Sequence, residues 1–305
     1  MKNLFGRSCA VAMVILVAAM PAAAQLEDNL SQLTGDQSQG YLAPLADGLS
    51  ATMNSNIFKS GDVPFMGFNL TLDLKAVVVS FSDADRVYTT PDLPGFGTTQ
   101  APTVIGDTQP NPPPTLTGPG GATFTYPSGF DLHHFGIVVP QVTIGSIAGT
   151  RAMVRFVKLN LGDTNEDLGD FTFWGVGGQH SISRYLPGLP VDVAAGVMFQ
   201  GFTIGKNDLV KANAFALNVT GSKKFGMVVS VEPYVGVGID SFSMDSHYDL
   251  DLGGGVTTPI DVKFDRQTDF HGTLGAGINL PGVKLNGELN LAAVNGYAVG
   301  LSFGI

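Results

Sequence analysis

From residue 66 onward, apolar and polar positions alternate with a period of two. Phe68, Leu70, Leu72, Leu74 and Ala76 take one face, and Asn69, Thr71, Asp73 and Lys75 take the other, as in a half-buried strand. The pattern recurs at hairpin spacing over about 137–147, 150–161, 169–183, 190–204, 209–221, 227–245, 260–280, 283–294 and 296–305. With 66–81, that predicts ten strands. In 260–280, Ile260, Val262, Phe264, Phe270, Leu274 and Ile278 share even parity against Asp261, Lys263, Asp265, Asp269 and His271. A membrane crossing needs only roughly 9–11 residues, so this strand is expected to project beyond a bilayer. Polar residues change parity within 151–161 (Arg151 and Arg155, then Lys158 and Asn160) and within 209–221 (Lys211 and Asn213, then Asn218 and Thr220). Each change predicts a bulge. Pro140 predicts a bulge or an unpaired position inside its strand.

Before residue 55 the period is helical. Leu26, Leu30 and Leu33 form one stripe, and Tyr41, Leu42, Leu45 and Leu49 a second, with Pro44 near its start, where proline is tolerated. Further upstream, Lys2 and Arg7, an apolar run over 8–20, Pro21 and Ala22-Ala23-Ala24 predict a cleaved signal peptide over 1–24. The expected organisation is therefore a leader (1–24), a helical plug or periplasmic segment (25–55) and a barrel (56–305). Connectors largely alternate in length. Ala148-Gly149, 186–190, 222–225 and Pro281-Gly282 are short, whereas 91–121 (Pro/Gly-rich), 162–169 and 246–259 are long. Transmembrane barrels have this asymmetry, with long extracellular loops and short periplasmic turns.

Composition points the same way. Forty glycines, 44% hydrophobic and only 14% charged residues fit a wall whose apolar face meets lipid. The expected fold is all-β: an antiparallel transmembrane β-barrel of about ten strands in the bacterial outer membrane, with a short helical N-terminal segment and membrane lipids as partners. Tyr297, Val299, Leu301, Phe303 and Ile305 make the lipid-facing row of the last strand and fit a C-terminal signal for the barrel-assembly machinery; Ala298, Gly300, Ser302 and Gly304 form a tiny inner face. That inner face calls for something beside it, and the leucines of 25–55 need a packed partner. The formal charge of −10 argues against nucleic-acid binding. The one cysteine, Cys9, lies in the leader, which removes disulfide and thiolate chemistry from the rest. No cofactor or metal is expected. Asp131, His133 and His134 could share a metal only from a turn, and Asp249 and Asp251 lack an ordered calcium-ligand spacing. The expected lumen lining is Asp73, Lys75, Arg151, Arg155, Glu232, Asp240, Asp261, Lys263, Asp265, Asp269, His271, Lys284 and Glu288.

The segment Gly178-Gln-His-Ser-Ile-Ser-Arg-Tyr-Leu-Pro-Gly-Leu-Pro-Val-Asp-Val-Ala-Ala-Gly196 resembles an uncharacterised family of Gram-negative outer-membrane barrels. In that family a G-x-K-H-S-I-S-Q-like strand end leads into LPVDIA. Tyr41-Leu42-x-Pro44, Gly67-Phe68 and Ser222-Lys-Lys-Phe225 extend the likeness over most of the chain; Gln179 and Arg184 depart from the usual Lys and Gln. This resemblance implies fold and location. A fainter likeness to long-chain fatty-acid transporters implies an N-terminal plug. Asp83-Ala-Asp85 and Asp245-Ser-His247 resemble the rim pairs of omptin proteases, but nothing else in the chain does, and no enzyme is expected. The leading functional expectation is binding or passive transport of a small, apolar molecule. A filled structural or surface-interaction barrel is the alternative.

Overall fold

The computed structural model describes residues 20–160, 170–205 and 208–304. Ten antiparallel strands close into a barrel: β1 (Met66–Ser80), β6 (His134–Ile147), β7 (Thr150–Asn160), β8 (Asp170–Ser181), β9 (Asp192–Gly205), β10 (Val210–Ser222), β11 (Ser230–Asp251), β12 (Thr257–Leu280), β13 (Val283–Leu291) and β14 (Gly296–Gly304). Around the wall they run in chain order, and β14 closes on β1 from Thr71 opposite Gly304 to Val79 opposite Gly296. The excursion between β1 and β6 holds two small hairpins, β2 (Val87–Thr89) with β3 (Gln100–Pro102), and β4 (Thr115–Thr117) with β5 (Thr123–Thr125). This stretch, expected to be a loop of little structure, is thus partly ordered by its own pairing. The span 246–259, also read as a loop, is mostly strand: β11 and β12 stay paired out to Asp251 opposite Thr257. The expected leader falls largely on residues 1–19, and the loop 162–169 on 161–169, both outside the described residues.

The facing of the wall follows one rule at the short-turn end. Val235, Val237, Leu274, Ile278, Leu285, Tyr297, Val299 and Phe303 are exposed on the outside, while Asp73, Lys75, Arg155, Glu232 and Glu288 are buried within. Towards the long-connector end the polarity inverts. Inside lie Phe173, Phe202, Val210, Ala212, Phe242, Met244 and Val262, all buried, while Lys158, Lys211, Asp245, His247, Asp261 and Lys263 are exposed outside. The parity changes of 151–161 and 209–221 therefore mark no bulge. The β7–β8 and β10–β11 ladders run without a register shift, and the strand keeps its facing while the lumen it meets turns from polar to apolar.

β12 does contain a bulge. Opposite it, Phe242 pairs with Gln267 but Met244 with Phe264, so one extra β12 residue is inserted and the strand's facing flips. His271 is buried on the inside below the flip, and Val262 is buried on the inside above it. Bulge and polarity inversion cancel in the sequence, and the even-apolar alternation passes through both. This overturns part of the expected lining: Asp261 and Lys263 are exposed on the outside, and the side chain of Asp265 lies outside the described ones. Asp269, below the bulge and opposite Asp240, keeps the inward row. Pro140 stands opposite Leu74 of β1 but has no partner on β7, whose ladder begins at Gln141, so on that side no N–H is called for.

Helices α1 (Met20–Leu30) and α2 (Gly35–Asn54) explain the apolar upper lumen. α2 packs against β1, β6, β10, β11 and β12, which places it inside the barrel. Leu30, Leu33, Tyr41, Leu42, Leu49 and Met53 are fully buried in one cluster with the inward residues of the strands. Thr34 caps α2 through a capping box with Gln37, whose Oε1 accepts the Thr34 amide at 2.8 Å. Pro44 stands in the helix interior, because α2 begins at Gly35 rather than near Tyr41. Proline at that point frees the Gly40 carbonyl.

The 81–133 excursion folds over α2, contributing Ala101, Val104, Ile105, Leu116 and Tyr126 to the same cluster. An exposed ion pair between Arg86 and Asp131 ties its two ends, and the Arg86 guanidinium holds the Asp131 carboxyl below its ordinary value. A lowered carboxylate contributes at neutral pH and is lost only as the pH falls through that lowered value. Protease cleavage within 81–133 is therefore expected to be constant from pH 7 down to about 4 and to rise below it. An Arg86→Met variant should show the faster cleavage already at pH 7. Equal cleavage of the two proteins at neutral pH would remove the tie.

Candidate functional site: a lumen filled by its own chain

Between α2 and β1, residues 55–65 run down the inside of the barrel from the long-connector end to the short-turn end. The wall binds this descent with many of the polar side chains it turns inward. At the top, α2 ends with carbonyls that have no helical partner, and Arg155 of β7 meets them. Its guanidinium donates to the carbonyls of Met53 (3.2 Å) and Asn56 (3.0 Å), to Gln141 Oε1 (2.9 Å) and to Gln200 Oε1 (2.9 Å). A cation at a helix C-terminus is also favoured by the helix dipole. Gln200 Nε2 donates to the same Met53 carbonyl at 2.8 Å. Gly175 opposes both Arg155 and Gln200 in the ladders, and without a side chain it lets Arg155 reach across β8. Lys75, 1% exposed, donates to the carbonyls of Asn56 and Ile57.

Lower down, Glu288 accepts from the Asn56 amide (2.7 Å) and from the Tyr234 hydroxyl (3.0 Å). Lys59 pairs with Asp73 and also reaches Ser302. Glu232 accepts from Ser60 and Ser222 and pairs with Lys284 at 2.8 Å. Ser222 Oγ accepts the Gly61 amide at 2.9 Å. Arg151 Nη2 and Gln179 Nε2 both donate to the Ser60 carbonyl, at 3.2 and 3.0 Å. Buried polar groups are tolerable when their partners are complete, and this network comes close to that.

Of the residues expected in the lumen, ten are found there: Asp73, Lys75, Arg151, Arg155, Glu232, Asp240, Asp269, His271, Lys284 and Glu288. All but Asp240, Asp269 and His271 belong to the network that holds the descent. The neutral partners Gln141, Gln179, Gln200 and Ser222 are not among the residues expected from the sequence. Their signal was their place on the inward row beside the charges. His271 and Asp240 instead form a pair of their own, with Nδ1 2.7 Å from Oδ2. The inner face of β14 is occupied too: Ser302 meets Lys59, and Ser55 lies against Gly296.

The pairs compared with a protease rim lie apart. Asp85 caps a short turn after β1, while His247 is on the outer surface of β11, bonded to Asp261. Asp131 engages Arg86, and His134 Nδ1 lies 3.0 Å from Ser80 Oγ.

Among the described residues, cavities adjoin the descent. One of about 310 Å³ opens at the short-turn end among Lys59, Asp62, Arg151, Glu232 and Lys284. Another, of about 160 Å³, lies between α2 and β11–β12. Between them a void of about 10 Å³ has room for one water.

Residues 1–305 match DUF6588, a family of unknown function. The chain belongs to that family. No curated protein matches it. Among solved structures it is similar to Ail, the attachment invasion locus protein of Yersinia pestis, at 8% identity and a TM-score of 0.25, with 79% of this chain and 100% of that one covered. A loop L8 deletion mutant of OmpT, an outer membrane protein of Vibrio cholerae, gives 8%, 0.26, 80% and 100% in the same order. The toluene transporter TbuX of Ralstonia pickettii gives 11%, 0.26, 90% and 98%. Scores this low carry no argument about function.

Proposed function

We propose that this DUF6588 protein is an outer-membrane barrel, closed at rest by its own N-terminal segment, that binds a small molecule at its long-connector end and passes it only when residues 54–62 shift. The apolar outer row, from Leu72 and Leu74 through Val235 and Leu274 to Tyr297 and Phe303, supports a lipid-embedded wall. No described helix is long and apolar enough to cross a membrane. The observation that carries the closed state is the seating of Met53–Gly61 by Arg155, Lys75, Glu288 and Glu232. The role is binding and passage rather than catalysis.

The density of that network also favours a second reading, a permanently filled barrel with a structural or surface-interaction role. A cross-link separates the two. Ser55 Oγ lies 3.2 Å from where a Cβ on Gly296 would stand, a separation suited to a disulfide. In a Cys9→Ser background, Ser55→Cys with Gly296→Cys should permit solute flux into liposomes when reduced and block it when oxidised. Flux that ignores the redox state would exclude passage through plug movement. Absence of flux in both states, with a correctly folded barrel, would favour the filled structural reading.

A further inference from the structure

The 160 Å³ cavity at the long-connector end combines features the plug network does not use. Its walls are apolar and small on the helix side, with Ala43, Ala46 and Ala51 of α2, and aromatic on the wall side, with Phe242 and Phe264. At its base is Asp240, 8% exposed. One oxygen of that carboxylate is 2.7 Å from His271 Nδ1. The other, Oδ1, has no hydrogen-bond partner among the described residues. A buried carboxylate oxygen without a partner is costly, and the cavity is the space in which a partner can sit.

The charge around it is one-sided. Asp47 of α2 and Asp269 of β12 also line the cavity, both exposed at its rim and within electrostatic reach of one another. Among the described lining residues there is no Lys, Arg or His. His271 stands behind Asp240, with its Nε2 3.1 Å from Asn218 Nδ2 and its Nδ1 turned to Asp240 Oδ2, which leaves Oδ1 as the oxygen open to the cavity.

We infer that this cavity binds a small organic cation, a protonated amine on a compact apolar body, with the ammonium on Asp240 Oδ1 and the body between the alanines of α2 and Phe242. The size fits: a cavity of about 150 Å³ holds one benzene ring. Asp47 and Asp269 raise the local concentration of cations at the mouth. Alanines in place of larger residues on this face of α2 keep the space open. The inference deepens the binding part of the proposed function and is independent of whether passage occurs.

Benzylammonium is the probe, titrated calorimetrically into the full chain in detergent micelles, with benzyl alcohol, benzoate and calcium as comparators. Benzylammonium should bind saturably. Benzyl alcohol should bind at least about tenfold more weakly, as expected for loss of a charge-assisted hydrogen bond, and benzoate should not bind. Asp240→Asn should weaken benzylammonium by about the same factor and leave benzyl alcohol unchanged. Ala43→Phe, which fills the cavity from α2 without altering charge, should abolish binding while heat-modifiable gel mobility reports an intact barrel. Equal affinity for benzylammonium and benzyl alcohol, or no effect of either substitution, overturns the inference. Calcium binding that is tighter than benzylammonium and lost in Asp240→Asn would identify a metal site instead. Binding without liposome flux would uphold the site and remove passage alone.

Discussion

Replacing Arg155 with alanine is expected to free the N-terminal segment from the lumen while the barrel stays closed. Arg155 is 2% exposed, and its guanidinium satisfies the carbonyls of Met53 and Asn56 together with the amide oxygens of Gln141 and Gln200. Alanine leaves those acceptors buried and unpaired at about 1–3 kcal/mol each. It also opens a void and leaves Glu288 and Asp73 facing less positive charge. These losses are coupled and do not add. A total near 3–5 kcal/mol is expected, the range seen when one partner of a buried charged network is removed. Most of that loss should appear as displacement of residues 53–61, because β7 keeps its ladders to β6 and β8. Arg155→Lys should recover little, since an ammonium cannot present the planar fork that reaches four acceptors. Chemical unfolding should show a lowered midpoint for release of the segment. Amides of 54–62 should lose exchange protection, with gel mobility still that of a folded barrel. Unchanged protection across 54–62 would show that Arg155 does not hold the descent.

The second large effect is expected from a single methyl group at Gly61. A Cβ there would overlap the carbonyl oxygen of Asp192 and come within 2.7 Å of the Thr220 carbonyl oxygen. Both are backbone atoms of paired strands, β9 and β10, and cannot rotate away. Gly61 is therefore required for close approach. Gly61→Ala forces the descent off the wall and costs about 1–3 kcal/mol or more, as overpacking does. The Gly61 amide would lose Ser222, and Ser60 would be drawn from Glu232. Gly287 is the control: a Cβ there meets nothing within 4 Å, so Gly287→Ala should leave stability within about 0.5 kcal/mol. Comparable stability for the two variants would refute the close-packed descent.

The strands were legible because each outward position below mid-height is apolar and each inward one is polar or small, so period and facing agree. β7, β10 and β12 resisted reading at their upper ends. There the inside is apolar because α2 occupies it, and the outside is charged because strands such as β11 run well past the length that a bilayer covers. Lys158 and Lys211 looked like facing changes when only the surroundings had changed. In β12 a real facing change is hidden by the same inversion, which is why parity alone places Asp261 and Lys263 inward. The charged half of the candidate site could be read from parity. Its neutral half, Gln141, Gln179 and Gln200, shares that inward row with Arg151 and Arg155, but an amide in a strand gives no sign by itself of a role beyond packing. Nothing local in 55–65 shows that this stretch is the ligand of that whole set.

The closure of β1 on β14 has a consequence for how the molecule is made. The segment that fills the barrel precedes β1, and the strand that seals the wall is the last one. Arg155, Glu288 and Glu232 lie on three different strands, β7, β13 and β11, and all grip the same short stretch. A wall sealed first would leave α2 and the descent to be threaded through a narrow cylinder. The filling must therefore be in place, or be wrapped, as the seam between β1 and β14 comes together. The residues that hold the plug would then also act as a template on which the sheet curls, joining parts of the chain that are far apart in sequence before the final hairpin docks.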